Sequence, residues 1–328
     1  MNISRRTALS LSLAGLPALA SAQPSSQTAA YPDRTVRYIV PFTPAGLTDI
    51  MARLVAQRLS EIWNKPVVVE NRAGGNAMIG ADAAAKSPPD GHTLLAITLA
   101  HAVNVSLFPN APYDLVRDFL PISVLGSLPL VVCVNPSNPA QNLQELMAQS
   151  RGRVMNGGSS GNGTPPHLGL ELFRRASGAA GNITHVPYRG GAPSVTDLMA
   201  GNLDLIVSNL PECLPQLQAG SLRGLAVTGA ERHRLVPDIP TAAEAGAPEM
   251  QITSWTAMVT NAAVPAPILS EIGSATQIAL REGEARRRAE EGGFDVLSWD
   301  ADRSRTFIGE EVARWGRLVR EAGIRADT

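Results

Sequence analysis

Three glycine-containing stretches carry the residue types from which an anion site can be built. They are Phe42-Thr43-Pro44-Ala45-Gly46, Gly157-Gly158-Ser159-Ser160-Gly161-Asn162-Gly163-Thr164 and Tyr188-Arg189-Gly190-Gly191-Ala192. Each follows an apolar run and precedes a helical pattern, so each places unpaired backbone N–H groups at a helix start, where the partial positive charge is roughly half an elementary charge. Such an end holds a carboxylate without a basic side chain. The hydroxyls of Thr43, Ser159, Ser160 and Thr164 add donors, and the glycines let a ligand approach the backbone. Arg189 is the only basic side chain in these stretches, and it is not expected to clamp the ligand. Gly157-Gly158-Ser159-Ser160-Gly161 also matches G-x-S-x-G, the nucleophile elbow of serine hydrolases. An elbow needs a helix directly after its serine, and here Gly161-Asn162-Gly163 and Pro165-Pro166 delay it. A secreted hydrolase using Ser159 is therefore the alternative reading. The histidines His92, His101, His167, His185 and His233 show no paired metal-ligand spacing, and neither a metal nor a cofactor is expected.

The elements that must position these loops follow an alternating pattern. Val36–Val40 reads as a buried strand, and the apolar residues Leu47, Ile50, Met51, Leu54, Val55, Leu59 and Ile62 give the next segment one helical face. Strands are expected at 67–69, 94–98, 128–134, 154–156, 183–187, 203–208, 222–228 and 252–259. The intervening helices fall at 78–86, 143–149, 193–200, 213–219, 266–281, 285–290 and 302–322, with one more opened by Pro165-Pro166. Thr241 and Glu244 are spaced to cap a further short helix. Alternation of this kind argues for an α/β fold with parallel or mixed sheets. Residues 135–251 form one complete βα unit, and residues 31–134 with 252–328 form the other. The crossings near 131–134 and 252–255 would act as a hinge, with a ligand cleft between the two domains at the carboxyl ends of the strands.

The chain has 328 residues, 44% hydrophobic and 17% charged, which excludes a disordered or fibrous protein. A net charge of −1 gives no electrostatic case for nucleic-acid binding. The two cysteines, Cys133 and Cys213, are too few for a disulfide scaffold; they either pair in an oxidising compartment or sit as buried thiols. Residues 1–22 have a charged start at Arg5-Arg6, an apolar run broken by Gly15 and Pro17, and small residues at Ala20-Ser21-Ala22. That is a bacterial secretory signal cleaved after Ala22, placing the mature chain in the periplasm. Ser4-Arg5-Arg6 also resembles a twin-arginine signal, with Ala8 where a Phe is usual.

Ordered motifs run through the chain: Tyr31-Pro32-Asp33-Arg34, Pro41-Phe42-Thr43-Pro44, Asp49, Glu70-Asn71-Arg72, Pro89-Asp90-Gly91, Arg117-Asp118-Phe119, Gly158-Ser159-Ser160-Gly161-Asn162-Gly163-Thr164-Pro165-Pro166-His167, Val186-Pro187-Tyr188-Arg189-Gly190, Glu244-Ala245-Gly246 and Ser254-Trp255. On these residues the chain resembles the solute-binding proteins of tripartite tricarboxylate transporters, the Bug receptor family. The resemblance implies a two-domain periplasmic binding protein, similar to the type II solute-binding fold, that closes on a small carboxylate. It implies a monomer without catalysis, whose partners are transporter membrane subunits or a sensor protein. The ligand-binding residues expected on this basis are Phe42, Thr43, Pro44, Ala45, Gly46, Asp49, Thr98, Ser159, Ser160, Gly161, Gly163, Thr164, His167, Tyr188, Asp204 and Ser208. Two departures stand out. Ala45 replaces the first of two glycines, and Val207-Ser208 stands where many relatives carry Phe-Asp, which favours plain carboxylic acids over amino acids. Export predicts that N-terminal sequencing of periplasmic protein begins at Gln23; a product that keeps Met1 in the cytoplasm contradicts it.

Overall fold

In the computed structural model, residues 31–321, 323 and 324 are described; the expected signal segment, residues 1–22, lies outside them. The first half of the chain runs β1 (Val36–Val40), α1 (Leu47–Trp63), β2 (Val67–Asn71), α2 (Met78–Ala85), β3 (Thr93–Thr98), α3 (Leu99–Leu107) and β4 (Phe119–Val134). Next come α4 (Leu143–Gly152), β5 (Met155–Ser159), α5 (Pro165–Ala176), β6 (Ile183–Pro187), α6 (Gly191–Met199), β7 (Leu205–Asn209), α7 (Leu210–Gln218) and β8 (Arg223–Val227). The chain returns through β9 (Thr253–Asn261), α8 (Ala266–Arg281), α9 (Glu284–Glu291), β10 (Asp295–Val296) and α10 (Ala301–Glu321).

Among the described residues the strands form one hydrogen-bonded sheet in the order β2-β1-β3-β9-β4-β7-β5-β6, with β8 and β10 also pairing with β4. At one end β1 is parallel to β2 and β3; at the other, β5 is parallel to β6 and β7. Between these groups β9 and β4 run antiparallel to their neighbours. The fold is the mixed α/β type that the alternation predicts.

Strand β4 serves both groups. Its first part, from Phe119 to Pro129, pairs with β9, and its last residues pair with β7 and β8. A proline inside a central strand removes a ladder donor, and Pro121 sits where the β4–β9 register shifts, while Pro129 ends that pairing. Leu130, Val131, Val132, Cys133 and Val134 are all fully buried. The sequence pattern finds only this last, continuously apolar part of the strand. Helix α3 is absent from the sequence reading altogether, because Leu94 to Val105 is almost unbroken apolar sequence in which strand and helix have no distinguishing period. Thr241 and Glu244 do form reciprocal caps (Glu244 N to Thr241 Oγ1 3.0 Å, Thr241 N to Glu244 Oε2 2.7 Å). No α-helix follows, since Gly246 adopts a φ of 83° and Pro248 comes two residues later, opening only a 3-10 turn over Pro248–Met250. Ile50, assigned by spacing to the packed face of α1, is 42% exposed; Met51, Val55 and Leu59 are the residues that pack. Cys133 and Cys213 are neighbouring buried free thiols, and burial beside Cys213 pushes the Cys133 thiol well up.

Thr228 ties the crossing strands together. It is fully buried; its hydroxyl oxygen accepts from Leu130 N at 2.9 Å and donates to Ile252 O at 2.6 Å, while its own N–H donates to Leu130 O at 2.9 Å. Valine fills the same volume but leaves the Leu130 N–H buried without an acceptor. Thr228→Val should therefore cost about 1–3 kcal/mol, read as a lower urea midpoint at unchanged slope. A loss below about 0.3 kcal/mol contradicts this role.

Candidate functional site

The loops that follow β1, β3, β5, β6 and β7 at their carboxyl ends surround a cavity of about 240 Å³. One wall comes from Phe42, Thr43, Gly46, Leu47 and Thr48 after β1, with Thr98 at the end of β3 and Ala100 after it. The facing wall comes from Ser160, Thr164, Pro165 and Pro166 after β5, Gly190 after β6, Asn209 at the end of β7 and Glu212 after it. Leu128 of β4, Ser254, Trp255 and Thr256 of β9, and Phe294 complete the lining.

The wall built on α1 is held from behind. The Asp49 carboxylate is almost completely buried and accepts from Ala45 N (2.9 Å), Arg53 Nε (2.8 Å) and Asn71 Nδ2 (2.8 Å). Asn71 Nδ2 also donates to Phe42 O at 3.1 Å, so both ends of the loop are anchored to this group. Burial alone raises a carboxyl pKa, but the bonds from Arg53, Asn71 and Ala45 outweigh it and hold Asp49 below the usual carboxylate range. The Arg53 charge is thereby spent on Asp49. Ala45 takes a φ of 65°, a left-handed conformation that glycine adopts without strain, and its N–H still reaches Asp49.

Helix α1 has no side-chain N-cap, and its first intrahelical bond runs from Ile50 N to Gly46 O at 3.0 Å. The N–H groups of Leu47 and Thr48 precede that bond and have no helical acceptor. Helix α3 caps itself, with Thr98 Oγ1 accepting from the His101 backbone and His101 Nδ1 accepting from Thr98 N at 3.1 Å. Burial pushes His101 down to about 4, so it is neutral, and the N–H groups of Leu99 and Ala100 are likewise left without helical partners. Two helix starts thus face the cavity from one side. The facing wall offers fewer, because Pro165 and Pro166 occupy the first positions of α5 and have no N–H.

On that facing wall Ser160 Oγ donates to Thr164 Oγ1 at 3.2 Å, and Thr164 Oγ1 donates to Gly161 O at 2.6 Å. Gly161 has a φ of 121° and lies against Tyr188 O, so the turn requires glycine there. Trp255 is fixed at the cavity floor. Its Nε1 and that of Trp315 both donate to Glu311 Oε2, each at 2.8 Å. Thr256 is almost fully buried, and its hydroxyl has no hydrogen-bond partner.

Of the residues expected from the sequence, Phe42, Thr43, Gly46, Thr98, Ser160 and Thr164 line the cavity. Pro44, Ala45 and Asp49 belong to the anchored loop behind it. Ser159 is fully buried, with Oγ 2.6 Å from His185 Nε2, and His167 stacks on His185 at 4.0 Å. His167 Nδ1 accepts from Gly163 N, and burial with the neighbouring His185 and Arg174 charges lowers the imidazole to about 3. Ser159, Gly161, Gly163 and His167 therefore shape the loop from its buried side. A nucleophile at Ser159 is shut off from the cavity, and α5 does not begin until Pro165. The Tyr188 hydroxyl donates to Asp197 at 2.6 Å, outside the cavity. Asp204 lies at the amino end of β7, bound to Arg153 and to Asn156 N, each at 2.7 Å, and so at the wrong end of the strand for the site. Ser208 donates to Glu212 Oε2 at 2.7 Å. Glu212 itself, Asn209, Ala100 and Thr256 were not singled out by sequence; the one available signal for Glu212 was its spacing of four from Ser208. Among the described residues no lysine or arginine lines the cavity, Arg189 is exposed, and no group of three potential metal ligands occurs.

Comparison with known proteins agrees with this architecture. The chain is 36% identical to Protein BugT of Bordetella pertussis over 333 residues, covering 99% of both chains. A solved structure of Rpa4515 from R. palustris with adipate is 34% identical, has a TM-score of 0.81 and covers 90% of this chain and 99% of its own. MatC from Rhodopseudomonas palustris with bound malate is 29% identical, with a TM-score of 0.77 and coverage of 88% and 100%. A model of the tripartite tricarboxylate transporter family receptor matches residues 51–324, and the chain belongs to that receptor family.

Proposed function

We propose that the protein is a periplasmic solute receptor, released by cleavage after Ala22, that captures a small carboxylate in the cavity at the strand ends. The observation that carries this reading is the wall of unspent N–H groups at the starts of α1 and α3, facing a cavity that no described basic side chain lines. One carboxylate of the ligand sits against these amides, with the hydroxyls of Thr43, Ser160 and Thr164 and bridging waters completing its shell. The adipate and malate of the two solved neighbours support a carboxylate as ligand class.

Residues 31–134 with 252–328 form one lobe and residues 135–251 the other, closing about the crossings of β4 and β9 where Thr228 sits. The protein acts by binding and carries out no reaction; the burial of Ser159 supports this. It works as a monomer that hands its ligand to the membrane subunits of a tripartite transporter or to a sensor, without a cofactor.

Calorimetric titration of ligand-stripped protein with succinate, adipate and malate should give saturable binding of at least one, with compaction in small-angle scattering at saturation. Ser160→Ala should weaken it by one hydrogen bond, about 0.5–1.5 kcal/mol. No binding of any carboxylate, or ester hydrolysis abolished by Ser159→Ala, overturns the reading.

Asp49 adds a pH dependence. Its carboxyl is held below its ordinary value, so its support of the loop is complete above the usual carboxylate range and is lost as pH falls through the lowered value. Asp49→Asn should therefore weaken carboxylate binding by about tenfold at pH 7 and flatten the acid limb of the affinity profile. An unchanged acid limb removes Asp49 from this role.

A further inference from the structure

We propose that Glu212 recognises a protonated nitrogen on the ligand, so that the solute carries both a carboxylate and an ammonium or similar cationic group. This rests on the carboxylate-receptor reading above and adds the second half of the ligand.

Among the described residues Glu212 is the only charged side chain that lines the cavity. It stands on the wall opposite the starts of α1 and α3, so donors face it across the space. Its carboxylate accepts from Ser208 Oγ at 2.7 Å and from Asn209, and it forms no ion pair with any described residue. Gly191 keeps this place open, since a Cβ there would collide with the Glu212 carboxylate. Burial raises the carboxyl, against the bonds from Ser208 and Asn209.

Glu212 is the third residue of α7, and reaching back to Asn209 is an ordinary helix-capping arrangement. Capping explains the side chain's position. It does not explain an acid, because glutamine accepts the same bonds, nor does it explain a half-buried carboxyl at a ligand cavity that no described basic side chain lines. A carboxylate ligand alone adds a second negative charge to that space. A ligand with a cationic nitrogen compensates both acids: its carboxylate meets the helix starts and its nitrogen meets Glu212. The surroundings suit a cation. Thr256 lines the same cavity, as do Phe42, Trp255 and Phe294, aromatic side chains whose ring faces attract positive charge. Ser208 in place of an acid therefore does not leave the site without one, and the preference for plain acids drawn from that substitution is reversed.

The test uses pairs that differ only in the amino group: L-glutamate and glutarate, L-aspartate and succinate, 4-aminobutyrate and butyrate. Calorimetry on ligand-stripped protein should show the amino member of at least one pair binding tighter by about tenfold or more. Glu212→Gln, which keeps the cap, should abolish that preference while the deaminated partner binds as well as before or better. Circular dichroism of Glu212→Gln confirms the fold. Equal or tighter binding of the deaminated member in every pair, or a preference unchanged in Glu212→Gln, overturns the Glu212 assignment and leaves the receptor reading intact. Failure of every compound, adipate and malate included, removes the receptor reading and this inference with it.

Discussion

An anion that leaves water for a cavity of about 240 Å³ must be met by positive charge or by oriented dipoles, and among the described residues no basic side chain lines this cavity. The starts of α1 and α3 supply the dipoles. Backbone amides are useful for this only if they are already in place when the ligand arrives, since ordering them on binding costs affinity. Asp49 is what keeps them in place. It gathers Ala45 N–H, Arg53 and Asn71 around one buried carboxylate, and the Arg53 charge is consumed in doing so. The protein thus uses its charged pair to fix the scaffold and leaves the contact with the ligand carboxylate to neutral groups.

The sheet brings the two walls together. Parallel strands at each end of the sheet deliver their carboxyl ends to the same space, and β4 and β9 run between the two groups. Leu128 on β4 and Ser254, Trp255 and Thr256 on β9 therefore form the floor of the cavity. The Thr228 bonds join β4 at Leu130 to Ile252, the residue before β9, a few residues away along the chain. Any movement at that crossing is felt in the floor. Trp255 is kept from following freely by its bond to Glu311, which also serves Trp315.

Much of this arrangement is readable in the sequence because it depends on local rules. The apolar spacing from Met51 to Leu59 gives α1, and the glycine-rich loops mark where strands give way to helices. What is not readable depends on distance in space. Pro165 and Pro166 look like a helix opening, but only the folded wall shows that they remove donors on the side where Ser160 stands. Asp204 and Ser208 are close in sequence, yet β7 carries one to its amino end and the other to the cavity end. Ser159 reads as an exposed nucleophile or a ligand donor until His185 is seen to take its hydroxyl from behind. Helix α3, which supplies half of the donor wall, is hidden because its residues continue an apolar strand without a change of period.

The central claim is that the ligand carboxylate is held without an arginine clamp. Arg189 is the basic residue of the three glycine loops, and it is exposed outside the cavity lining. The direct measurement is the dissociation constant of a bound carboxylate for the native protein and for Arg189→Ala. The account predicts a change on the ~0.5 kcal/mol scale of a surface substitution. A loss of about 2–5 kcal/mol in a folded Arg189→Ala protein, the size expected when one partner of a buried charge pair is removed, would contradict it.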